Sequence, residues 1–387
     1  MENHENSAST WPLLDTLAPF LQQAWENSKF QKPTEIQKQA IPQVLEGKDV
    51  LAEAPTGSGK TLAYLFPVLQ KIDPDKKDTQ AVILASSREL VMQIHEELQT
   101  WSAGSGISSA TLIGGANIKR QLDKLKKHPR VIIGTPGRVH ELIKKKKLKM
   151  HEVKTLVLDE GDQLLAPEHK GTLEDIIKST LAERQLLLFS ATLPKVSELE
   201  AQRLMNDPEI VRVGTEAEKP DVDHGYLITD ARKKVDTLKR LTVIEAFKGL
   251  VFVRDIGNLD VLAEKLRFKG LSVGVIHGDS KKEDRVKTLK AFREEKLALL
   301  LATDVAARGL DIPSLKYVIN YDLPDETSQY VHRAGRTGRV GSPVDGSVIS
   351  LVTGDDIKKI VKISKELNID ITEKQMYRGE LIDARQQ

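Results

Sequence analysis

Apolar residues in this chain gather into short runs, separated by stretches in which apolar positions return every three or four residues. From Asp49 onward, "AVILA", "VIIGTP", "TLVLDE" and "QLLLFSAT" read as strands buried on both faces, because they lack polar alternation and are too short for helices. Their alternation with amphipathic segments predicts an α/β fold built on a parallel sheet. The pattern then lapses. After "IVRVG", the stretch "TEAEKPDVDHG" is charged, contains Pro220 and has no apolar period, which predicts a linker. Alternation resumes with "GLVFVRD", "LSVGVIHG", "LALLLATD" and "YVINYD", spaced by helical patterns such as "NLDVLAEKLRFKG" and "KKEDRVKTLKAFREEK". The expected organisation is an N-terminal segment 1–19, an α/β domain 20–213, a linker 214–225, a second α/β domain 226–371 and a short polar tail 372–387.

Composition narrows the class. A chain of 387 residues is long for one core and suits two domains, while 40% hydrophobic and 29% charged residues describe a soluble globular protein. There is no cysteine, which excludes disulfides and thiolate metal sites and fits a reducing compartment. The start "MENHENSAST" lacks the basic and apolar regions of a signal peptide, and no apolar run reaches membrane-spanning length. The expectation is a cytoplasmic protein with no membrane partner. Lys and Arg total 58 against 56 Asp and Glu, a net charge of +2, so any nucleic-acid binding must come from local arrangement. The run "KKKKLK" from Lys144 to Lys149 reads as a solvated helix face in preference to a phosphate contact.

The candidate chemistry begins at "LAEAPTGSGKTLAYLFP", where a strand-like segment passes through small residues into a helix pattern. Gly57 and Gly59 let backbone N–H groups converge on an anion, and Lys60 and Thr61 follow at the helix start. Ala54 stands where the strict nucleotide-loop pattern has its first Gly, so an ordinary strand-to-helix turn is the alternative. Further along, "TLVL" ends in "DEGD", and carboxylates at a strand's carboxyl end lie where open α/β sheets bind ligands. Asp159 suits a Mg²⁺ ion held with Thr61, and Glu160 suits polarisation of an attacking water. Taken alone the same residues read as a charged cap. Together the two sites point to nucleotide hydrolysis.

"APTGSGKT", "DEGD", "SAT" at Ser190 to Thr192, "ATDVAARGLDI" and "YVHRAGRTGR" occur in this order, and with them the chain resembles the DEAD-box ATP-dependent RNA helicases of superfamily 2, in their short bacterial form without a C-terminal extension. The likeness runs from about Phe20 to Leu367. It implies an α/β fold of two recombinase-like (RecA-like) parallel-sheet domains in tandem, 20–213 the ATP-binding and 226–371 the C-terminal helicase domain, with ATP in the cleft between them and RNA across both. In "FQKPTEIQ", Gln37 would hydrogen-bond the adenine edge, Phe30 would stack on its ring and Phe20 would pack behind it. Thr56, Gly57, Ser58, Gly59, Lys60 and Thr61 would hold the phosphates, with Mg²⁺ on Thr61 and Asp159. Lys60, Glu160, Arg336 and Arg339 would carry catalysis, the two arginines by stabilising charge on the terminal phosphate. Asp311 would contact the ribose. Asp162, Ser190, Thr192 and His332 would form a network coupling ATP to RNA. The implied RNA contacts are Ser87, Arg88, Gly115, Thr135, Gly137, Arg138, Arg254 and Thr303, groups that hold phosphates without reading bases.

Four positions depart from the family pattern. Gly161 replaces the Ala that names the family, a change expected to be tolerated with a looser turn. Ser86 replaces the Pro before the hydroxyl-Arg pair, Lys29 stands where Gly commonly precedes the aromatic residue, and Lys282 where Gln follows "HGD". The sequence therefore predicts an RNA-dependent ATPase that opens short duplexes as a monomer, with ribosomal precursor particles as the implied setting. An ATP-switched RNA clamp and a DNA-directed helicase are the alternatives.

Overall fold

The computed structural model describes residues 11–28, 30–214, 222–245, 247–280, 282–307, 315–338 and 346–384. The chain divides into two compact units, Met1–Val213 and Gly214–Gln387. In the first, β1 (Val50–Glu53), β2 (Ala81–Ala85), β3 (Ser109–Leu112), β4 (Val131–Gly134), β5 (Thr155–Asp159), β6 (Gln185–Ser190) and β7 (Glu209–Arg212) form one sheet in the order β3-β4-β2-β5-β6-β1-β7. Every pairing is parallel. The sheet is covered on both faces, which explains the unbroken apolar runs. Val50, Ala52, Ala81 and Ile83 join one core, while the intervening Leu51 and Val82 join the other. Each such Val, Leu or Ile contributes about 1.5–3 kcal/mol when fully buried.

The second unit repeats the scheme with β8 (Val222–Ile228), β9 (Gly249–Phe252), β10 (Val273–Ile276), β11 (Leu299–Ala302), β12 (Tyr317–Asn320), β13 (Gly346–Val352), β14 (Thr372–Tyr377) and β15 (Glu380–Asp383). The sheet order is β10-β11-β9-β12-β13-β8-β14-β15, parallel except for the terminal β14–β15 hairpin. Leu250 and Phe252 face one core, Val251 and Val253 the other.

Three stretches differ from the sequence reading. Within the segment 1–19, Trp11, Leu14 and Leu17 are buried in the first core, where the Trp11 ring lies 5.0 Å from Trp25. The end of the expected linker, Val222 to Gly225, is strand: Asp223 pairs with Lys374 at 2.7 Å, and His224 Nδ1 meets the Tyr330 hydroxyl at 3.0 Å. The expected tail is the β14–β15 hairpin, whose Lys374 is paired both within the hairpin and far back in sequence. Lys374 bonds both Asp223 and Asp383 at 2.7 Å. The lysines 144–147 and 149 are exposed, as the solvated reading expects, although the helix Pro136–Lys144 ends at the first of them and Lys146 turns left-handed at φ 54°.

Candidate active site

Because the first sheet is parallel, all its strands deliver their loops to one edge. The neighbours β1, β6 and β5 bring together the turn 54–60, the segment 190–192 and the segment 159–162. The turn is built for close approach. Gly57 and Gly59 hold φ of 84° and 91°, and a Cβ on Gly59 would stand 2.6 Å from Gln37 Nε2. Lys60 opens the helix Lys60–Lys71, and its ammonium donates to the carbonyls of Ala54 and Pro55. Enclosure in the loop drives the Lys60 ammonium down to about 8, against the pull of Asp159, Glu160 and Asp162. Ser58 Oγ is enclosed without a hydrogen-bond partner, which suits a cradle made for phosphate oxygens.

Asp159 ends β5 and is buried. Its carboxylate accepts the Tyr64 hydroxyl at 2.8 Å and the Glu160 N–H at 2.9 Å. Burial first, and the Glu160 charge second, push it up to about 6, opposed by Tyr64 and Lys60. The Tyr64 hydroxyl also meets the Thr61 side chain, so Thr61 and Asp159 converge on one point. Among the described residues no cluster of three or more His, Cys, Asp or Glu could hold a metal ion. Two oxygen donors fit Mg²⁺, which keeps waters and takes phosphate oxygens to complete its shell. Tyr64 carried no signal in sequence beyond its place in an apolar helix.

Glu160 is held left-handed at φ 54°, ψ 53°, an uncommon state for a residue with a side chain. Its carboxylate accepts a hydrogen bond from Ser86 Oγ. Next to it Gly161 is tightly packed: a Cβ there would lie 2.3 Å from Leu188 Cδ2. The expected loose, tolerant turn is therefore corrected. Asp162 Oδ1 lies 2.7 Å from Ser190 Oγ and Oδ2 lies 3.3 Å from Thr192 Oγ1, so three of the four coupling residues meet within this unit.

Gln37 is 4% exposed and sits in the first turn of the helix Glu35–Leu45, where it completes a capping box with Thr34. Its Oε1 accepts the Thr34 N–H at 3.0 Å and its Nε2 donates to the Gly59 carbonyl at 3.2 Å. These partners fix the amide's orientation. Phe30 is 54% exposed, with one face stacked on Trp101 at 6.1 Å and 11° and Trp25 5.9 Å away. The rings behind it are thus tryptophans, while Phe20 packs against the core. Lys29 lies outside the described residues, as does the side chain of Lys282.

The other neighbours, β2, β4 and β3, carry the remaining candidates of this unit on the same edge. Ser87 is buried and caps the helix Arg88–Trp101 by accepting the Leu90 N–H. Arg88 is exposed and lies across Gly115, where a Cβ would meet its guanidinium. Thr135 Oγ1 accepts the Gly114 N–H at 3.3 Å, and Gly137 is open. Arg138 turns inward, donating to the Ala116 carbonyl and pairing with Glu141 at 3.0 Å.

The DEAD/DEAH box helicase family matches residues 34–199, and the Helicase conserved C-terminal domain matches 233–341. The probable ATP-dependent RNA helicase YfmL of Bacillus subtilis (strain 168) is 55% identical over 365 residues, 94% of this chain and 96% of that protein. The chain belongs to the DEAD-box ATP-dependent RNA helicases. The DEAD-box helicase CshC of Bacillus cereus is 51% identical over 96% of this chain and 95% of its own. Among solved structures, S. cerevisiae Dbp5 bound to RNA and ADP BeF3 is similar with a TM-score of 0.83 at 31% identity, covering 95% of each chain. Two RecA-like domains and ATP-dependent helicase activity are thereby established for this DEAD-box protein.

In the second unit of this DEAD-box helicase, β9 and β11 are neighbours whose carboxyl ends lead to Arg254 and Thr303. Arg254 is exposed, with its N–H on Asp322 at 3.0 Å and its guanidinium near Asp325 at 3.5 Å. Thr303 is buried and its carbonyl accepts the Ala307 N–H. Of the arginine segment, Arg333 is structural: it is 2% exposed and donates to Asp304, Asn320 and the Asp322 carbonyl. Arg336 is buried, its carbonyl accepting the Leu315 N–H, and His332 is half-buried on the helix Thr327–Ala334. Arg339 and Asp311 lie outside the described residues.

Proposed function

We propose that this helicase couples RNA-stimulated ATP hydrolysis to the local opening of short RNA duplexes, acting as a monomer. The observation that carries the reading is the edge of the first sheet, where Lys60, Asp159, Glu160 and the Asp162–Ser190 pair adjoin the exposed Arg88 and the loops of Gly115 and Thr135. Lys60 and the loop N–H groups hold the phosphates. Mg²⁺ on Thr61 and Asp159 would neutralise phosphate charge. Water oxygen bonds to the terminal phosphorus, the bridging bond breaks with its electron pair leaving on ADP, and Glu160 takes the water proton. Arg336, with Arg339, stabilises the charge that develops on the transferred group.

Adenine is the base that Gln37 suits. With Oε1 and one Nε2 hydrogen already committed, the amide keeps one acceptor site and one donor, which match adenine N6 and N7. Guanine offers only acceptors on that edge. Arg88, Gly115 and Thr135 suit phosphates, so RNA binding is expected to be nearly sequence-blind and steeply salt-dependent.

The test is ATP turnover with matched RNA and DNA oligomers, followed by strand release from a short duplex. RNA stimulation with ATP-dependent release supports the proposal. Equal stimulation by DNA overturns the choice of RNA, and turnover without release overturns unwinding in favour of a clamp. Ribosomal precursor particles, the implied setting, are tested by sequencing RNA crosslinked to the protein in cells; absence of ribosomal precursors among it refutes that role.

A further inference from the structure

The strand order splits the carboxyl edge of the first sheet into two halves. β3, β4 and β2 carry the loops of Gly115, Thr135 and Arg88, whereas β5, β6 and β1 carry those of Glu160, Ser190 and Lys60. The halves meet at β2 and β5, whose register pairs Ala85 with Asp159. The next residues, Ser86 and Glu160, therefore leave the sheet side by side, and Ser86 Oγ donates to Glu160 Oε2 across the seam. Beside the charges of Lys60 and Asp159, the left-handed turn and the N–H bond to Asp159 act on the Glu160 backbone. They fix where the side chain starts, and Ser86 fixes where it ends.

Ser86 itself has little freedom. It lies between the last residue of a buried strand and Ser87, which caps the following helix. Arg88 comes two peptide units later and is confined against Gly115, whose missing Cβ leaves room for the guanidinium. A shift of the Arg88 segment is thus passed to Ser86 over a short, stiff path.

We infer that Ser86 is a positioning residue for Glu160: its hydroxyl holds the carboxylate in the orientation that receives the water proton, and ties that orientation to the segment bearing Ser87 and Arg88. The inference rests on the roles proposed above for Glu160 and for that segment. A proline at this position has no hydroxyl to donate, so the link depends on the serine.

The experiment measures steady-state ATP turnover with and without single-stranded RNA for the full-length wild type, Ser86→Ala, Ser86→Thr and Glu160→Gln. Loss of one hydrogen bond to a charged group predicts that Ser86→Ala lowers RNA-stimulated kcat about tenfold. The KM for ATP and the RNA concentration for half-stimulation should stay within about twofold of wild type, because binding is not what the hydroxyl serves. Ser86→Thr, which restores a hydroxyl, should recover most of the rate. Unchanged or faster turnover in Ser86→Ala overturns the inference, as does a loss that Ser86→Thr fails to repair. Glu160→Gln separates the two layers. If it turns over like wild type, or if RNA does not stimulate the wild type, the proposed function is at fault; if it is inactive while Ser86→Ala is normal, only the role of Ser86 falls.

Discussion

Gly161→Ala adds one methyl group beside Glu160, and the structure sets its effect. The new Cβ would stand 2.3 Å from Leu188 Cδ2, 2.5 Å from Cγ and 3.0 Å from Cδ1. Leu188 is 1% exposed and lies in β6 between Leu51 and Leu158, so its whole side chain has to move against neighbours in β1 and β5. Overpacking of this kind costs about 1–3 kcal/mol. Gly161 opens the short helix Gly161–Leu164 in an ordinary conformation, so alanine recovers about 0.5–1 kcal/mol by limiting the unfolded chain. The net expectation is a loss of about 0–2.5 kcal/mol, which at about 2 kcal/mol per molar urea lowers the midpoint by up to about 1.2 M. Trp11, Trp25 and Trp101 are the chain's three tryptophans and all lie in the first unit, so tryptophan fluorescence follows that unit alone. Leu188→Ala in the Gly161→Ala background removes Cγ and both Cδ atoms and should relieve the clash, giving a coupling of about 1 kcal/mol in a double-mutant cycle. A raised midpoint in Gly161→Ala, or coupling near zero, refutes the packing argument.

Glu160→Gln should bind ATP and RNA but hydrolyse about 10²–10⁴-fold more slowly, as expected on loss of a general base; single-turnover kinetics with wild-type rates would remove Glu160 from that role. Burial pushes His224 from 6.5 down to about 4, so the folded second unit binds fewer protons than the unfolded chain between those values and loses stability as pH falls through them. Protection factors of the β8 and β13 amides, taken relative to the intrinsic exchange rate at each pH, should fall from pH 6.5 to 4, and His224→Gln should flatten that trend; an equal trend in the variant is the contrary result. Lys374→Met leaves the half-exposed carboxylates of Asp223 and Asp383 facing each other without their cation, and should cost about 1 kcal/mol and free the hairpin. Limited proteolysis after β13 reads this out, and unchanged cleavage would show that the ion pairs do not hold the hairpin.

The strands legible in sequence are those buried on both faces, such as Ala81–Ala85 and Leu299–Ala302, where each residue is apolar whichever way it points. Ser109–Leu112 was silent because an edge strand of four residues needs no apolar run. Val222 to Gly225 and Thr372 to Tyr377 read as loop and tail because their polar residues take partners, such as Asp223 with Lys374, that only the folded register reveals. At the site, the order of motifs exposed Lys60, Asp159 and Glu160. Tyr64 and Ser86 stayed hidden, since their partners lie 95 and 74 residues away and meet them only through the β2–β5 pairing and the helix packed beside it. Trp101 was hidden for the same reason: it backs Phe30 from the far end of another helix.

The order in which the chain visits the first sheet's edge bears on how such proteins diversify. The loops of Arg88, Gly115 and Thr135 follow one another in a single block, 86–138, while the loops at 54–61, 159–162 and 190–192 flank it. That block also supplies contiguous strands, so recombination between homologues can exchange it as a cassette. A graft of this kind would replace the loops of Arg88, Gly115 and Thr135 and leave those of Lys60, Glu160 and Ser190 unchanged. The seams it has to match are β4 against β2 in the sheet and, at the first residue of the block, Ser86 against Glu160, which would come from different ancestors.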